Sequence, residues 1–337
     1  MNDLRNIVDT TLVPHAAFEE ASRRLDQCFH YAHGANEPIC IAVIGESRTG
    51  KSRAIEDCYS RNMSARSADG LEVPILRVKT PSKPTVKSLA ELMLRAMSDP
   101  LFDKGTENAK TTRLHTLMRN CQTKMVMIDE FQHFVDKGSH KVMHHVADWL
   151  KVLVDDAQVA LVVAGLPSCQ AVLEQNEQLS GRFMSPVRMP RFDWSNDPHR
   201  EQFLDILGAF HESIGCHFDM PALDGPDLSF RCFCATGGLM GYLTKLLRQA
   251  VWDAIDRGSK TIDLAALAHA QQQAVWSKDG PCGIANPFTR EFQATPTSEL
   301  IERILSIGVA QEPPRPSRRR STAATERMTT RSVLSAT

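Results

Sequence analysis

The sequence predicts an α/β fold: a parallel five-stranded sheet sandwiched by helices, followed by a small all-helical domain. Three observations carry this. Five apolar runs (Ile39–Ile44, Val73–Val78, Met125–Asp129, Val159–Ala164 and Val187–Met189) have strand length and lack clean alternation, as strands buried on both faces of a parallel sheet do. Helical stretches lie between them, and strands alternating with helices mean a doubly wound sheet. After Pro190 only helical patterns follow.

Residues 14–33 read as a helix, because Phe18, Ala21, Leu25, Cys28, Phe29 and Ala32 repeat at helical spacing behind Pro14. Asn36-Glu37-Pro38 ends it. The helices between strands are predicted over Ser52–Ser60, Val86–Met97, Thr111–Cys121, Lys141–Asp155 and Ser168–Leu179. His199–Ser213, Ala222–Ala235, Leu239–Arg257 and Leu264–Ser277 make the helical domain. The organisation predicted is an N-terminal helical extension over 1–37, an α/β core over 38–190, a helical lid over 191–278, and an irregular, basic, flexible tail over 279–337. Within that tail, residues 311–337 carry six arginines, two glutamates and almost no large apolar residues. Such a composition cannot bury enough surface to order itself.

Apolar content of 42% and charged content of 23% are ordinary for a globular protein with a sizeable core. A formal net charge of −1 excludes a chain that is basic throughout, but leaves room for local basic patches. The nine cysteines are scattered without a C-x-x-C pair, which reads as reduced cytosolic thiols. The N-terminus has no apolar signal-peptide core, and no run approaches the ~18 apolar residues of a membrane span, so a cytoplasmic location with no membrane partner is expected.

Gly45-Glu46-Ser47-Arg48-Thr49-Gly50-Lys51-Ser52 fits G-x-x-x-x-G-K-[ST] between a β-branched strand and a helix. The glycines let the backbone wrap closely, so that N–H groups point at a β-phosphate and the helix adds its positive dipole end. Lys51 is expected to bridge the β- and γ-phosphates of ATP, and Ser52 to ligate Mg²⁺. Met125–Asp129 is an apolar strand ending in two adjacent acids, Asp129 and Glu130. It is expected to run beside the phosphate-loop strand and deliver both carboxylates at the sheet edge where ligands bind. Asp129 would hold magnesium, and Glu130 would polarise the attacking water. An adjacent catalytic glutamate points to the additional-strand ATPases.

The residues now reached resemble the AAA+ ATPases of transposition, the TniB/TnsC family. Asp129-Glu130-Phe131-Gln132-His133, Ala164-Gly165-Leu166-Pro167, Asn176-Glu177-Gln178-Leu179-Ser180-Gly181-Arg182-Phe183 and Gly237-Gly238-Leu239-Met240-Gly241-Tyr242-Leu243 carry the resemblance, over about 10–275. It implies an ATP-loaded protein that binds double-stranded DNA, assembles into rings or helical filaments, and directs a DDE transposase, with a target-selection protein as a further partner. Arg182 matches the family's arginine finger, a side chain that reaches a neighbour's γ-phosphate; Arg188 and Arg191 compete with it. Two departures stand out. Position 166, where a strand-end hydroxyl is expected, is Leu166, with Ser168 as a substitute. Gly241 stands where many relatives place a sensor arginine, with Lys245 or Arg248 as substitutes. An initiator or helicase loader, or a nucleotide switch with little hydrolysis, remains as an alternative.

Two basic, hydroxyl-rich segments are candidates for DNA phosphate contact. The first, 77–87, includes Lys79 and Lys83. The second includes Lys104, Lys110, Thr111, Thr112 and Arg113. His133 reads as a polar residue that positions Glu130 or contacts the next subunit, or equally as a plain surface histidine, and His140 with His144 has the spacing of a weak metal pair.

Overall fold

The apolar runs fold as strands in a computed structural model that describes residues 2–32, 37–68, 70–136, 139–275 and 284–307, all within one compact unit. Three helices lead: α1 (Asn2–Arg5), α2 (Ile7–Thr10) and α3 (Ala16–Tyr31). Then come β1 (Cys40–Ile44), α4 (Lys51–Arg61), a hairpin of β2 (Ala65–Ser67) and β3 (Gly70–Glu72), β4 (Ile75–Lys79), α5 (Val86–Ala96), α6 (Glu107–Asn120) and β5 (Met125–Asp129). α7 (His133–Asp136), α8 (His140–Ala157), β6 (Ala160–Gly165), α9 (Gln170–Leu173), α10 (Glu177–Ser180) and β7 (Val187–Arg188) complete the α/β part. The helical part comprises α11 (Asp197–Gly215), α12 (Pro226–Thr236), α13 (Met240–Arg257), α14 (Leu264–Ala274) and α15 (Ser298–Leu305).

The sheet order is β4-β5-β6-β1-β7, and every pairing in it is parallel. This corrects one expectation. The acidic strand β5 does not run beside β1; β6 lies between them, in register with both (Val162 pairs with Ile41 and with Met127). The additional strand that the adjacent glutamate implied is therefore β6.

Strand periodicity splits each run between two layers. Cys40, Ala42 and Ile44 join the cluster containing Leu89, Met93, Leu114 and Leu150 of α5, α6 and α8. Ile41 and Val43 join Leu25 of α3 and Ile55 of α4 on the other face. Each such side chain, fully buried, contributes about 1.5–3 kcal/mol relative to exposure. A third cluster fills the lid, from Phe203 and Phe210 of α11 through Phe233 of α12 to Leu246 of α13.

Four local features differ from expectation. The helix expected over Ser168–Leu179 is broken. A 3₁₀ turn at Pro167–Cys169 leads into α9, and Asn176 restarts the chain as α10 by accepting from the Leu179 N–H at 2.9 Å. The hairpin over 65–72 is too short to show a pattern. The N-terminal extension divides: α1 and α2 lie on the lid, while α3 lies on the sheet. Trp252 Nε1 donates to the Arg5 carbonyl at 2.8 Å, Arg5 pairs with Asp256, and Thr11 and Ser213 share a hydrogen bond of 2.8 Å.

The fourth is the tail, expected to be irregular from 279. Residues 284–307 instead fold onto the lid, burying Ile284, Phe288, Phe292, Ile301, Ile304 and Ile307 in its core. The cause is sparse but well-spaced apolar anchors, and Arg231, which donates to the carbonyls of Pro287 and Thr289 (2.5 and 3.0 Å). The arginine-rich stretch 311–337 lies outside the described residues.

Candidate active site

β1 delivers its last residue, Ile44, straight into the phosphate loop. At Gly45 a Cβ would stand 2.2 Å from the Met189 carbonyl oxygen, so the loop passes β7 only as glycine. Gly50 has φ +99°, a left-handed turn that aims the chain into α4. α4 starts with no side-chain cap, which leaves the anion-binding character of a helix N-terminus to a ligand. Lys51 is buried and donates to the Gly45 carbonyl at 2.9 Å and to the Glu46 carbonyl. Desolvation lowers its pKa, against the upward pull of Asp129 and Glu130. A buried ammonium held by its own loop's carbonyls has contacts that a phosphate oxygen would replace. Thr49 braces the loop by donating to the Glu46 carbonyl at 3.0 Å.

The acids meet the loop although β6 intervenes. Ser52 Oγ donates to Asp129 Oδ2 at 2.9 Å, and the Glu130 N–H donates to Asp129 Oδ1 at 2.8 Å. Glu130 has φ +57°, a left-handed conformation uncommon for a residue with a side chain, and it lines the same cavity as Asp129. Gln132, not His133, touches the Glu130 carboxylate: its Nε2 donates to Glu130 Oε2 at 2.6 Å. Ser52 and Asp129 offer hard oxygen donors of the kind Mg²⁺ takes, so the residues present fit that ion. Among the described residues, no group of three or more His, Cys, Asp or Glu side chains could hold a metal by itself. His140 and His144 lie with ring centroids 4.9 Å apart, without a third ligand.

A cavity of about 410 Å³ joins these groups. Lys51, Ser52, Asp129 and Glu130 line one side, Gly241 and Arg248 of α13 another, and Val8, Leu12 and His15 a third. The volume is in the range of small-ligand sites. The lid sits directly on the loop: the Gly241 N–H donates to the Arg48 carbonyl at 2.8 Å, and the Arg48 guanidinium lies 4.5 Å from the Tyr242 ring centroid. Of the substitutes for the sensor groups, Ser168 and Lys245 are exposed and do not line the cavity, whereas Arg248 does, paired with Asp9. The Lys245 pKa is lowered, by desolvation first and then by Arg48 and Arg248, so three cations crowd this edge of the lid.

Arg182 lies at the other end of the sheet. Its carbonyl accepts from Cys40, the first residue of β1, at 3.2 Å, and its guanidinium is on Asp155 of α8 at 2.8 Å. It therefore does not face its own phosphate loop, and a finger role is open to it only toward another subunit. Arg188 is exposed. Arg191 leaves the competition: buried, it pairs with Glu46 and donates to the carbonyls of Leu305 and Ile307 (2.7 and 3.0 Å). No sequence pattern marked this staple between loop and C-terminal helix, because its partners, the Glu46 carboxylate and the Leu305 and Ile307 carbonyls, lie over 100 residues away.

The basic segments separate. Lys79 is exposed at the tip of β4, paired in register with Asp129, and Lys83 is exposed in the following loop. Thr80, buried between them, donates through both N–H and hydroxyl to the Asp129 carbonyl (2.9 and 3.0 Å). In the second segment, Lys104 is exposed beside Asp103 and Thr112 bonds the Asn108 carbonyl at 3.0 Å. Two residues there already have partners, and for Lys110 this corrects the expectation. Arg113 is spent on Asp99 and on the Leu101 carbonyl, both at 2.6 Å. Lys110 is fully buried on the Phe102 carbonyl (2.8 Å) and Glu91. Both tie down the 97–106 loop; Lys110 is too deeply buried to reach a phosphate, whereas Arg113 is half-buried and its contacts run through Nε and Nη2.

Phosphate loop, acidic strand, inserted strand and helical lid together define an ATPase of the AAA+ type. The family of bacterial TniB proteins matches residues 4–194, more than half of the chain, and the chain belongs to that family. No curated protein matches it significantly. Among solved structures, it is similar to Cdc6p from Pyrobaculum aerophilum (TM-score 0.59, 14% identity, 81% of this chain and 71% of that one). Similar too are the ORC2 protein of Aeropyrum pernix in its ADPNP-ADP complexes (0.58, 15%, 81% and 73%) and the ORC1 protein of Aeropyrum pernix in complex with DNA (0.55, 18%, 80% and 69%). At these identities the likeness is one of fold. No described helix is long and apolar enough to cross a membrane.

Proposed function

We propose that this protein is an ATP-dependent DNA-binding regulator of transposition. Loaded with ATP and magnesium, it assembles as a homo-oligomer on double-stranded target DNA and recruits or activates a DDE transposase; hydrolysis dissolves the assembly. Gly45–Ser52 and Asp129 form the nucleotide and metal site, Glu130 orients the attacking water, and Arg182 acts across the subunit interface. Membership of the TniB family supports the transposition reading.

One observation carries the coupling of nucleotide to DNA. Thr80 holds the carbonyl of Asp129, so the residue facing magnesium and the exposed basic loop at Lys79 and Lys83 share one hydrogen-bonded junction. A change at the metal site is thereby felt where phosphate contacts are available.

Anisotropy titration of labelled duplex DNA tests this. Expected are binding with a slowly hydrolysed ATP analogue and weak binding with ADP or without nucleotide. Indifference to duplex sequence and a steep loss with salt are also expected. Binding that ignores nucleotide and is unchanged in Lys51→Ala contradicts the reading. Whether a transposase is retained on the ATP-loaded protein but not on the ADP form separates this function from helicase loading.

A further inference from the structure

Gln132 is buried, and its amide bridges two elements of the active site. Its Nε2 donates to Glu130 Oε2 at 2.6 Å, and its Oε1 accepts from the Leu166 N–H at 3.2 Å. The orientation of the amide is fixed by its neighbours: a backbone N–H can only donate, and a carboxylate can only accept. Room for it comes from Gly165, where a Cβ would stand 2.5 Å from Oε1. The tip of β6 is thus wired to the acid at the end of β5 through one side chain. Leu166 supplies no hydroxyl there, and Ser168 stays outside the cavity that Gln132 lines.

We propose that Gln132 is the positioning residue for Glu130. It holds the carboxylate in the rotamer needed to orient water, and it anchors that rotamer to the β6 backbone in place of a strand-end hydroxyl. This rests on the assignment of Glu130 as the water-orienting acid. Glu130 needs such a support: among the described residues Gln132 is the side chain that hydrogen-bonds its carboxylate, while Ser52 braces Asp129 instead. An amide of this length suits the span. Asparagine is one methylene shorter, methionine keeps the volume without the donor, and glutamate keeps the shape but repels Glu130.

The test is a set of ATP turnover measurements on Gln132→Met, Gln132→Asn, Glu130→Gln and the double variant Glu130→Gln/Gln132→Met, with ATP affinity measured alongside. Expected for Gln132→Met is a kcat lower by about 10- to 100-fold, the size of a general-base contribution partly lost, with ATP affinity within about twofold of wild type. Gln132→Asn does not restore the rate. In single-turnover hydrolysis, adding Gln132→Met to Glu130→Gln costs nothing further, because the residue acts through Glu130. Wild-type kcat in Gln132→Met, or the same fold-loss in both backgrounds, overturns the proposal while the acid assignment stands. Wild-type turnover in Glu130→Gln overturns the acid assignment and this proposal with it.

Discussion

The guanidinium of Arg48 lies over the ring of Tyr242, 4.5 Å from its centroid, and so joins the phosphate loop to the first turn of the lid helix. The loop proposed to hold phosphate and the lid therefore share this contact. Nucleotide binding and lid position are then linked through residue 48.

Loss of the ring weakens that link. A cation–π contact of this kind contributes about 0.5–1 kcal/mol at a partly exposed site. Tyr242→Ala is expected to weaken ATP binding by roughly 2- to 5-fold with little change in thermal midpoint. Isothermal titration measures it; unchanged affinity contradicts the linkage.

Crowding the same junction has a larger effect. A Cβ at Gly241 would stand 2.8 Å from Arg48 Cβ and 3.3 Å from the Arg48 carbonyl oxygen. Gly241→Ala must push the lid helix off the loop and is expected to lower ATP affinity more than Tyr242→Ala does, while the separately packed lid and sheet cores keep the fold intact. Circular dichroism melting beside the titration distinguishes displacement from unfolding.

The nucleotide site is legible in the sequence, whereas its surroundings are not. The loop 45–52 and the pair Asp129–Glu130 are local patterns, and each keeps its meaning wherever the strand falls. Strand neighbours are not local. Nothing in Met125–Asp129 says that β6, encoded later, inserts between it and β1. Arg113 and Lys110 read as free cations because their partners, Asp99 and backbone carbonyls of a loop, leave no periodic mark. The helix α15 was hidden for a similar reason: Ile301 and Ile304 only acquire weight once the lid core offers them a surface.

Arg191 tests the packing account. Its guanidinium joins Glu46 of the loop, the Gly237 carbonyl of the lid at 3.4 Å and the end of α15. Arg191→Ala leaves several buried carbonyls without a donor, at about 1–3 kcal/mol for each group left unsatisfied. A urea midpoint lowered accordingly is expected, and Arg191→Lys recovers only part of it, since one ammonium cannot span the same fork.

His15 gives a pH signature. Burial pushes its pKa down from 6.5 to about 4, so the folded protein keeps the ring neutral while the unfolded chain protonates it. The unfolded state therefore gains protons as pH falls from about 6.5 to about 4. Stability contributed by this site is complete above that window, declines through it, and levels off below. Urea denaturation at pH 7 and pH 5 is expected to show a smaller acid-induced loss for His15→Phe than for wild type; equal losses contradict the assignment.

Arg182 belongs to a neighbour's reaction if the assembly forms as proposed. Lys51→Ala and Arg182→Ala subunits, each inactive alone, are expected to regain part of the ATP turnover when mixed with DNA, because some interfaces then pair an intact loop with an intact arginine. Mixtures as inactive as their components speak against action in trans.

ATP hydrolysis at this site is tested by phosphate release from wild type, Lys51→Ala and Glu130→Gln, with and without duplex DNA. Both substitutions are expected to stop multiple turnover, with Glu130→Gln keeping only a slow single-turnover rate; Lys51→Ala fails to take up ATP, and Glu130→Gln binds ATP and stays on DNA as a long-lived assembly. Turnover at the wild-type rate in either variant, or a Glu130→Gln protein that binds ATP yet leaves DNA as the ADP form does, would contradict it.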